Sequence, residues 1–215
     1  MADASSEPVA VAVDRRPRVV VLLSGVGSTM AALVEAARDP GYPAQVVAVG
    51  SDRSDAGGLG YARDAGIAAF VVAPADYADR RAWSAAFADA VASHEPDLVL
   101  SAGLMRILDP VFVDRFSPRL INSHPSLLPC FPGAHAVADA LAYGVRVTGA
   151  TVHVMDAGVD TGPIVAQTAV TVATDDDVAS LHERIKVAER RMLIEVVAAM
   201  AGAQVHVDGR KVRLT

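Results

Sequence analysis

The chain has 215 residues, 52% hydrophobic and 20% charged, with a formal net charge of −6. That length and balance suit one globular α/β domain able to bury roughly 70% of its unfolded surface, and an acidic chain without a Lys/Arg-rich run argues against nucleic-acid or membrane-surface partners. The single cysteine, Cys130, excludes an intrachain disulfide and any Cys-based zinc cluster.

Residues 1–17 carry small and acidic side chains and no apolar run long enough for a signal-peptide core, which predicts a disordered leader. No stretch approaches the ~20 apolar residues of a membrane span, so the cytoplasm is the expected location. Near-continuous apolar, β-branched runs at 18–23, 45–49, 69–72 and 97–100 read as buried parallel strands. Helical patterns at 29–38, 58–65 and 80–93 separate them, giving βαβαβαβ, a doubly wound sheet with helices on both faces. Downstream, strands at 119–122, 145–155 and 164–172 bracket one helix at 134–142, and a long helix spans 177–200. Segments 205–207 and 211–213 flank Asp208-Gly209 and form a terminal hairpin. With no repeat or linker, the expectation is a single Rossmann-like α/β domain over 18–215, its central sheet mostly parallel with a C-terminal antiparallel extension.

Three segments carry polar groups suited to chemistry. Ser24-Gly25-Val26-Gly27-Ser28-Thr29 follows the first strand and opens the first helix. The backbone N–H groups of Gly27, Ser28 and Thr29 would converge there at the positive helix end and seat a phosphate; the alternative is a tight turn capped by Ser28. Met30 replaces the third glycine of a dinucleotide fingerprint, and no P-loop Gly-Lys-Ser/Thr is present. In Asn122-Ser123-His124-Pro125, strand alternation puts Asn122 and His124 on one face, at the carboxyl end of a strand where α/β sheets place ligands. The alternative is a histidine that ties a loop to the sheet. Asp156-Ala157-Gly158-Val159-Asp160 is a glycine-containing loop whose Asp160 is within reach of an imidazole, or else a solvated turn.

Taken in order with Gly103-Leu104-Met105-Arg106-Ile107-Leu108, Pro132-Gly133, Thr148-Gly149-Ala150-Thr151-Val152-His153 and Asp160-Thr161-Gly162-Pro163-Ile164, these segments resemble the folate-dependent formyltransferase family over nearly all of 18–200. The early glycine loop and the late Glu189 look like its glycinamide ribonucleotide branch. The resemblance implies transfer of a formyl group from 10-formyltetrahydrofolate, a co-substrate rather than a resident cofactor, to the amine of 5-phosphoribosylglycinamide in purine biosynthesis. By the same resemblance Asn122, His124 and Asp160 are catalytic, while Gly27, Ser28, Thr29 and Glu189 hold the nucleotide. Met105, Arg106, Ile107, Leu108, Asn122 and residues Asp156, Ala157, Gly158, Val159 and Asp160 line the pterin slot, with Arg80 reaching the folate's anionic portion. It thus divides the chain into a nucleotide half at 18–100, a folate and catalytic half at 101–200, and the terminal hairpin at 203–215. Family members usually have Asn where this chain has Thr29.

Formyl transfer builds a tetrahedral carbon bearing an oxyanion, so the site must stabilise that oxygen, remove an amine proton and protonate the leaving nitrogen. Asn122 can donate to the oxyanion, and an Asp160 carboxylate beside His124 would favour its imidazolium form. Thr151 and His153 read as supporting residues, and no spacing completes a metal site. A formyltetrahydrofolate deformylase, a methionyl-tRNA formyltransferase, a nucleotide-binding dehydrogenase and a non-catalytic folate or nucleotide sensor are the rival readings. The first two would carry further domains; the dehydrogenase leaves the polar trio unexplained, and a sensor would keep the pockets but need not retain all three polar groups. Pairing of edge strands from the second half across a two-fold axis would make a homodimer.

Overall fold

The apolar runs of the first half do form parallel strands, although the run at 69–72 makes an edge strand that is only partly buried, and the alternation of strand and helix sets the architecture of the computed structural model. It describes residues 16–215, so the leader expected at 1–17 lies outside the described residues except for its last two positions. The elements are β1 (Arg18–Leu23), α1 (Ser28–Ala36), β2 (Gln45–Ser51), α2 (Gly57–Asp64), β3 (Ala68–Val71), α3 (Arg80–Ala92), β4 (Leu98–Ser101), α4 (Pro110–Phe116), β5 (Leu120–His124), α5 (Ala136–Tyr143), β6 (Val147–Val154), β7 (Ile164–Thr171), α6 (Val178–Ala201), β8 (Val205–Asp208) and β9 (Lys211–Leu214), with a 3₁₀ turn at Pro74–Asp76.

Among the described residues these strands make one nine-stranded sheet in the order β3-β2-β1-β4-β5-β6-β7-β9-β8. β1 to β5 run parallel. β6 then pairs antiparallel with β5, β7 antiparallel with β6, and the β8–β9 hairpin joins β7 through Ile164 and Lys211. The order reverses between β1 and β4, which opens a crevice at their carboxyl ends.

Strand alternation splits the core in two. Val19, Val21, Leu23 and Ile121 pack with residues of α1, α2 and α6 on one face, whereas Val20, Leu22 and Leu120 pack with Trp83, Phe87 and Phe112 of α3 and α4 on the other. Start signals are explicit where helices begin: Asp79 accepts from Ala82 N at 2.7 Å, and Asp177 with Ser180 closes a capping box on α6. The expected single helix between the fourth and sixth strands is corrected to two, because α4 precedes β5. At seven residues it is too short to show periodicity, although Asp109 as N-cap and Pro110 at the first helical position mark its start. No helix of the described residues is long and apolar enough to cross a membrane.

Candidate active site

The alternation that divides the core also sorts the polar end of β5. Asn122 and His124 follow Leu120 onto the α3/α4 face, and Ser123 follows Ile121 onto the α1/α6 face. On β6 the cross-strand partners of Asn122 and His124 are His153 and Thr151. Four polar side chains from two antiparallel strands therefore share one surface.

Asp160 closes over that surface from the β6–β7 loop. Its Oδ2 lies 3.3 Å from His124 Nδ1 and accepts from Gly133 N at 2.8 Å, and its Oδ1 lies 3.5 Å from His153 Nε2. Burial opposes ionisation of Asp160, but the Gly133 N–H and the positive charge of His124 outweigh it and hold the carboxyl below its ordinary range. The ring of His124 is fixed at both ends, since Nε2 donates to Phe131 O at 2.8 Å while Nδ1 faces Asp160. Nε2 thus ties the loop to the sheet, and Nδ1 faces the carboxylate. His153 Nδ1 donates to Val154 O at 3.1 Å, which leaves Nε2 to accept from Asn122 Nδ2 at 3.3 Å. This fixes the amide with a second N–H, whose Asp160 Oδ1 contact is long at 3.5 Å.

A cavity of about 350 Å³ opens on this cluster. Asn122, His124 and His153 line it with Met105, Arg106, Ile107, Leu108, Asp156, Gly158, Val159 and Asp160, whereas Ala157 does not. Its rim leaves Met105 71% and Ile107 52% exposed, apolar surface of the kind that a flat ring system covers. Arg106 turns its charge aside, its Nε bound to the buried Asp52 at 2.6 Å. Arg80 lies outside this cavity and opens on a neighbouring one of about 470 Å³ that shares Met105, Arg106 and Ile107. Thr151 acts behind the site: its Oγ1 donates to Ser126 O at 2.7 Å and accepts from Leu128 N at 3.0 Å, holding the loop after His124.

The glycine loop sits across the crevice on the other face. Gly27 is the N-cap of α1 in left-handed conformation with φ 77°, and no side chain caps the helix, so the turn capped by Ser28 is not what forms. A Cβ on Gly27 would meet Gly58 Cα at 2.9 Å, which is why glycine is required here. The first-turn N–H groups of Ser28 and Thr29 consequently lack intrahelical acceptors. Glu189 of α6 lies on this same face, 8% exposed, with Oε1 accepting from Ser123 Oγ at 2.8 Å. Burial pushes its carboxyl above the ordinary range, the Ser123 hydrogen bond acting in the opposite direction. Neither the glycine loop nor Glu189 lines the cavity beneath Asp160; Ser123, which does, lies between the two regions.

A family model described as formyl transferase matches residues 17–197. The chain belongs to the formyl transferase family. This formyl transferase is 55% identical over 204 residues to phosphoribosylglycinamide formyltransferase of Mycobacterium tuberculosis, covering 95% of this chain and 94% of that one. It is 39% identical over 191 residues to the human trifunctional purine biosynthetic protein adenosine-3, covering 89% of this chain and 19% of that protein. Among solved structures, glycinamide ribonucleotide transformylase 1 of Symbiobacterium toebii superposes with a TM-score of 0.90 at 41% identity, over 98% of this chain and 99% of that one. The expected family and the Rossmann-like α/β fold both stand. The β8–β9 hairpin lies beyond the stretch matched by the family model.

Four contacts of this formyl transferase were not anticipated from sequence: Ser123 to Glu189, Gly133 N to Asp160, Phe131 O to His124, and Asp52 to Arg106. Only the first had a local signal, since Ser123 sits between two singled-out residues on a strand. Gly162 matters for packing, because a Cβ there would lie 1.7 Å from Val154 O. Gly162→Ala is expected to displace the Asp160 loop and destabilise the fold by about 2–4 kcal/mol, read as a lowered midpoint in urea.

Proposed function

We propose that this formyl transferase moves the formyl group of 10-formyltetrahydrofolate to the amine of 5-phosphoribosylglycinamide, yielding formylglycinamide ribonucleotide and tetrahydrofolate in purine biosynthesis. The observation that carries this reading is the convergence of Asn122, His124 and Asp160 at the inner end of a cavity with an apolar rim, opposite an uncapped helix start. The pterin enters between Met105–Leu108 and the 156–160 loop, with Arg80 in the adjoining cavity toward the anionic tail. The nucleotide phosphate takes the N–H groups of Gly27, Ser28 and Thr29, and the ribose hydroxyls reach Glu189. The backbone seat does not require the Asn side chain that Thr29 replaces.

The neutral amine attacks the formyl carbon, forming a C–N bond and pushing an electron pair onto the formyl oxygen. The free N–H of Asn122 receives that oxyanion, assisted by the Nδ1 proton of His124. The adduct's ammonium proton passes through Asp160 to N10, whose bond to carbon then breaks. Asp160 remains ionised between turnovers, consistent with the causes that depress its pKa, so it holds the proton only in transit. The residues 18–215 act as one domain in this scheme, in the cytoplasm, with edge strand β8 available for pairing two copies into a homodimer.

Mixing the protein with 10-formyltetrahydrofolate, with and without the ribonucleotide, and following tetrahydrofolate release spectroscopically is the direct test. Release is expected only with the amine; amine-independent release would make it a deformylase, and no release a sensor or dehydrogenase. Glu189→Ala is expected to raise the nucleotide KM by roughly 10- to 100-fold through loss of a charged hydrogen bond, with kcat little changed. An unchanged KM would remove Glu189 from the site. Because the folded pKa of Glu189 is raised, its contribution to stability is full below its unfolded value of about 4.3 and is lost as pH rises through the folded one. Glu189→Gln, which keeps an acceptor for Ser123, is therefore expected to raise Tm at neutral pH but not in acid.

A further inference from the structure

We infer that Arg210, at the tip of the terminal β8–β9 hairpin, is a positioning residue for Asp160. Asp160 has φ 54°, a left-handed conformation uncommon outside glycine, though Asn and Asp tolerate it best. Gly133 N holds the carboxylate, but the backbone on either side of Asp160 also needs fixing. Upstream, Asp156 Oδ1 accepts from Gly158 N at 3.1 Å and from Thr161 Oγ1 at 2.6 Å, closing the loop on itself. Downstream, the guanidinium of Arg210 donates through Nη1 to Thr161 O and through Nη2 to Gly162 O at 3.4 Å. One rigid fork thereby spans the two carbonyls that immediately follow Asp160.

The hairpin is a fixed base for this contact. Gln204 and Thr215 exchange backbone hydrogen bonds at its open end, Val205, Val212 and Leu214 pack on the core, and Lys211 pairs with Ile164 at the start of β7. Arg210 itself is exposed, so burial does not account for its position. Its two hydrogen bonds go instead to the loop that carries the carboxylate facing His124. A guanidinium held 49 residues away in sequence thus sets the conformation of a reacting loop without lining the cavity.

This inference rests on the reading of Asp160 as part of the proton path, and the experiment separates the two. Arg210→Ala is expected to lower kcat roughly tenfold through loss of loop registration, with the nucleotide KM and Tm unchanged and faster amide exchange in residues 156–162. Arg210→Lys restores part of kcat by reaching one carbonyl. In an Asp160→Asn background, Arg210→Ala is expected to add nothing, because both changes act through one carboxylate. An unchanged kcat in Arg210→Ala, or an equal further loss in the Asp160→Asn background, overturns the positioning role while leaving Asp160 in place. Full activity in Asp160→Asn alone overturns both.

Discussion

Asp160→Asn is expected to lower kcat by about 10²- to 10⁴-fold, the range for loss of a positioned proton-transfer group, while the nucleotide KM stays at its wild-type value. The substitution is nearly isosteric, and an amide oxygen can still accept from Gly133 N, so the loop keeps one of its ties. What disappears is the negative charge 3.3 Å from His124 Nδ1 and the proton-carrying capacity beside the reacting nitrogens. Steady-state rates at saturating ribonucleotide measure the loss directly. A rate within a few-fold of wild type would leave His124 without a working partner and return the proton path to solvent. The pH profile supplies a second reading: the folded pKa of Asp160 is depressed, so the ion pair persists as pH falls through about 4, the ordinary carboxylate value, and is lost only below it. An acid limb near neutrality would therefore belong to another group.

How far this site was legible in the chain follows from the range of each interaction. Asn122 and His124 could be placed on one face because a period of two is a local rule, and His124's partner on β6 could not, since pairing with Thr151 depends on the register of an antiparallel join. The same rule, applied to the intervening residue, assigns Ser123 to the opposite face, where α6 delivers Glu189 across 66 positions of sequence. No periodicity encodes that distance. Backbone groups were the least legible: Gly133 N and Phe131 O are available from any residue type, and only the folded loop brings them to Asp160 and His124. The parallel half of the sheet was read almost element by element because buried strands and Ala-rich helices differ sharply in composition. α4 was missed because seven residues between Asp109 and Ser117 make too few turns for a stripe to emerge.

Asn122→Ala is the other large effect, an expected loss of about 10²- to 10³-fold in kcat, the usual result of deleting one oxyanion donor. The amide of Asn122 is set for this role by its neighbour. His153 accepts one of its N–H bonds at 3.3 Å, a geometry available only when Nδ1 carries the ring proton, and Val154 O at 3.1 Å keeps it there. The remaining N–H is directed toward Asp160 Oδ1 at 3.5 Å, too long to be a strong bond and easily exchanged for a better acceptor. An oxygen gaining negative charge in the transition state is such an acceptor, whereas the neutral formyl carbonyl of the bound donor is a weaker one. The loss should therefore appear in kcat and leave the KM for 10-formyltetrahydrofolate close to wild type. A rise in that KM with kcat preserved would mean that Asn122 holds the donor in its ground state, and the oxyanion would have to be assigned to His124 Nδ1 alone.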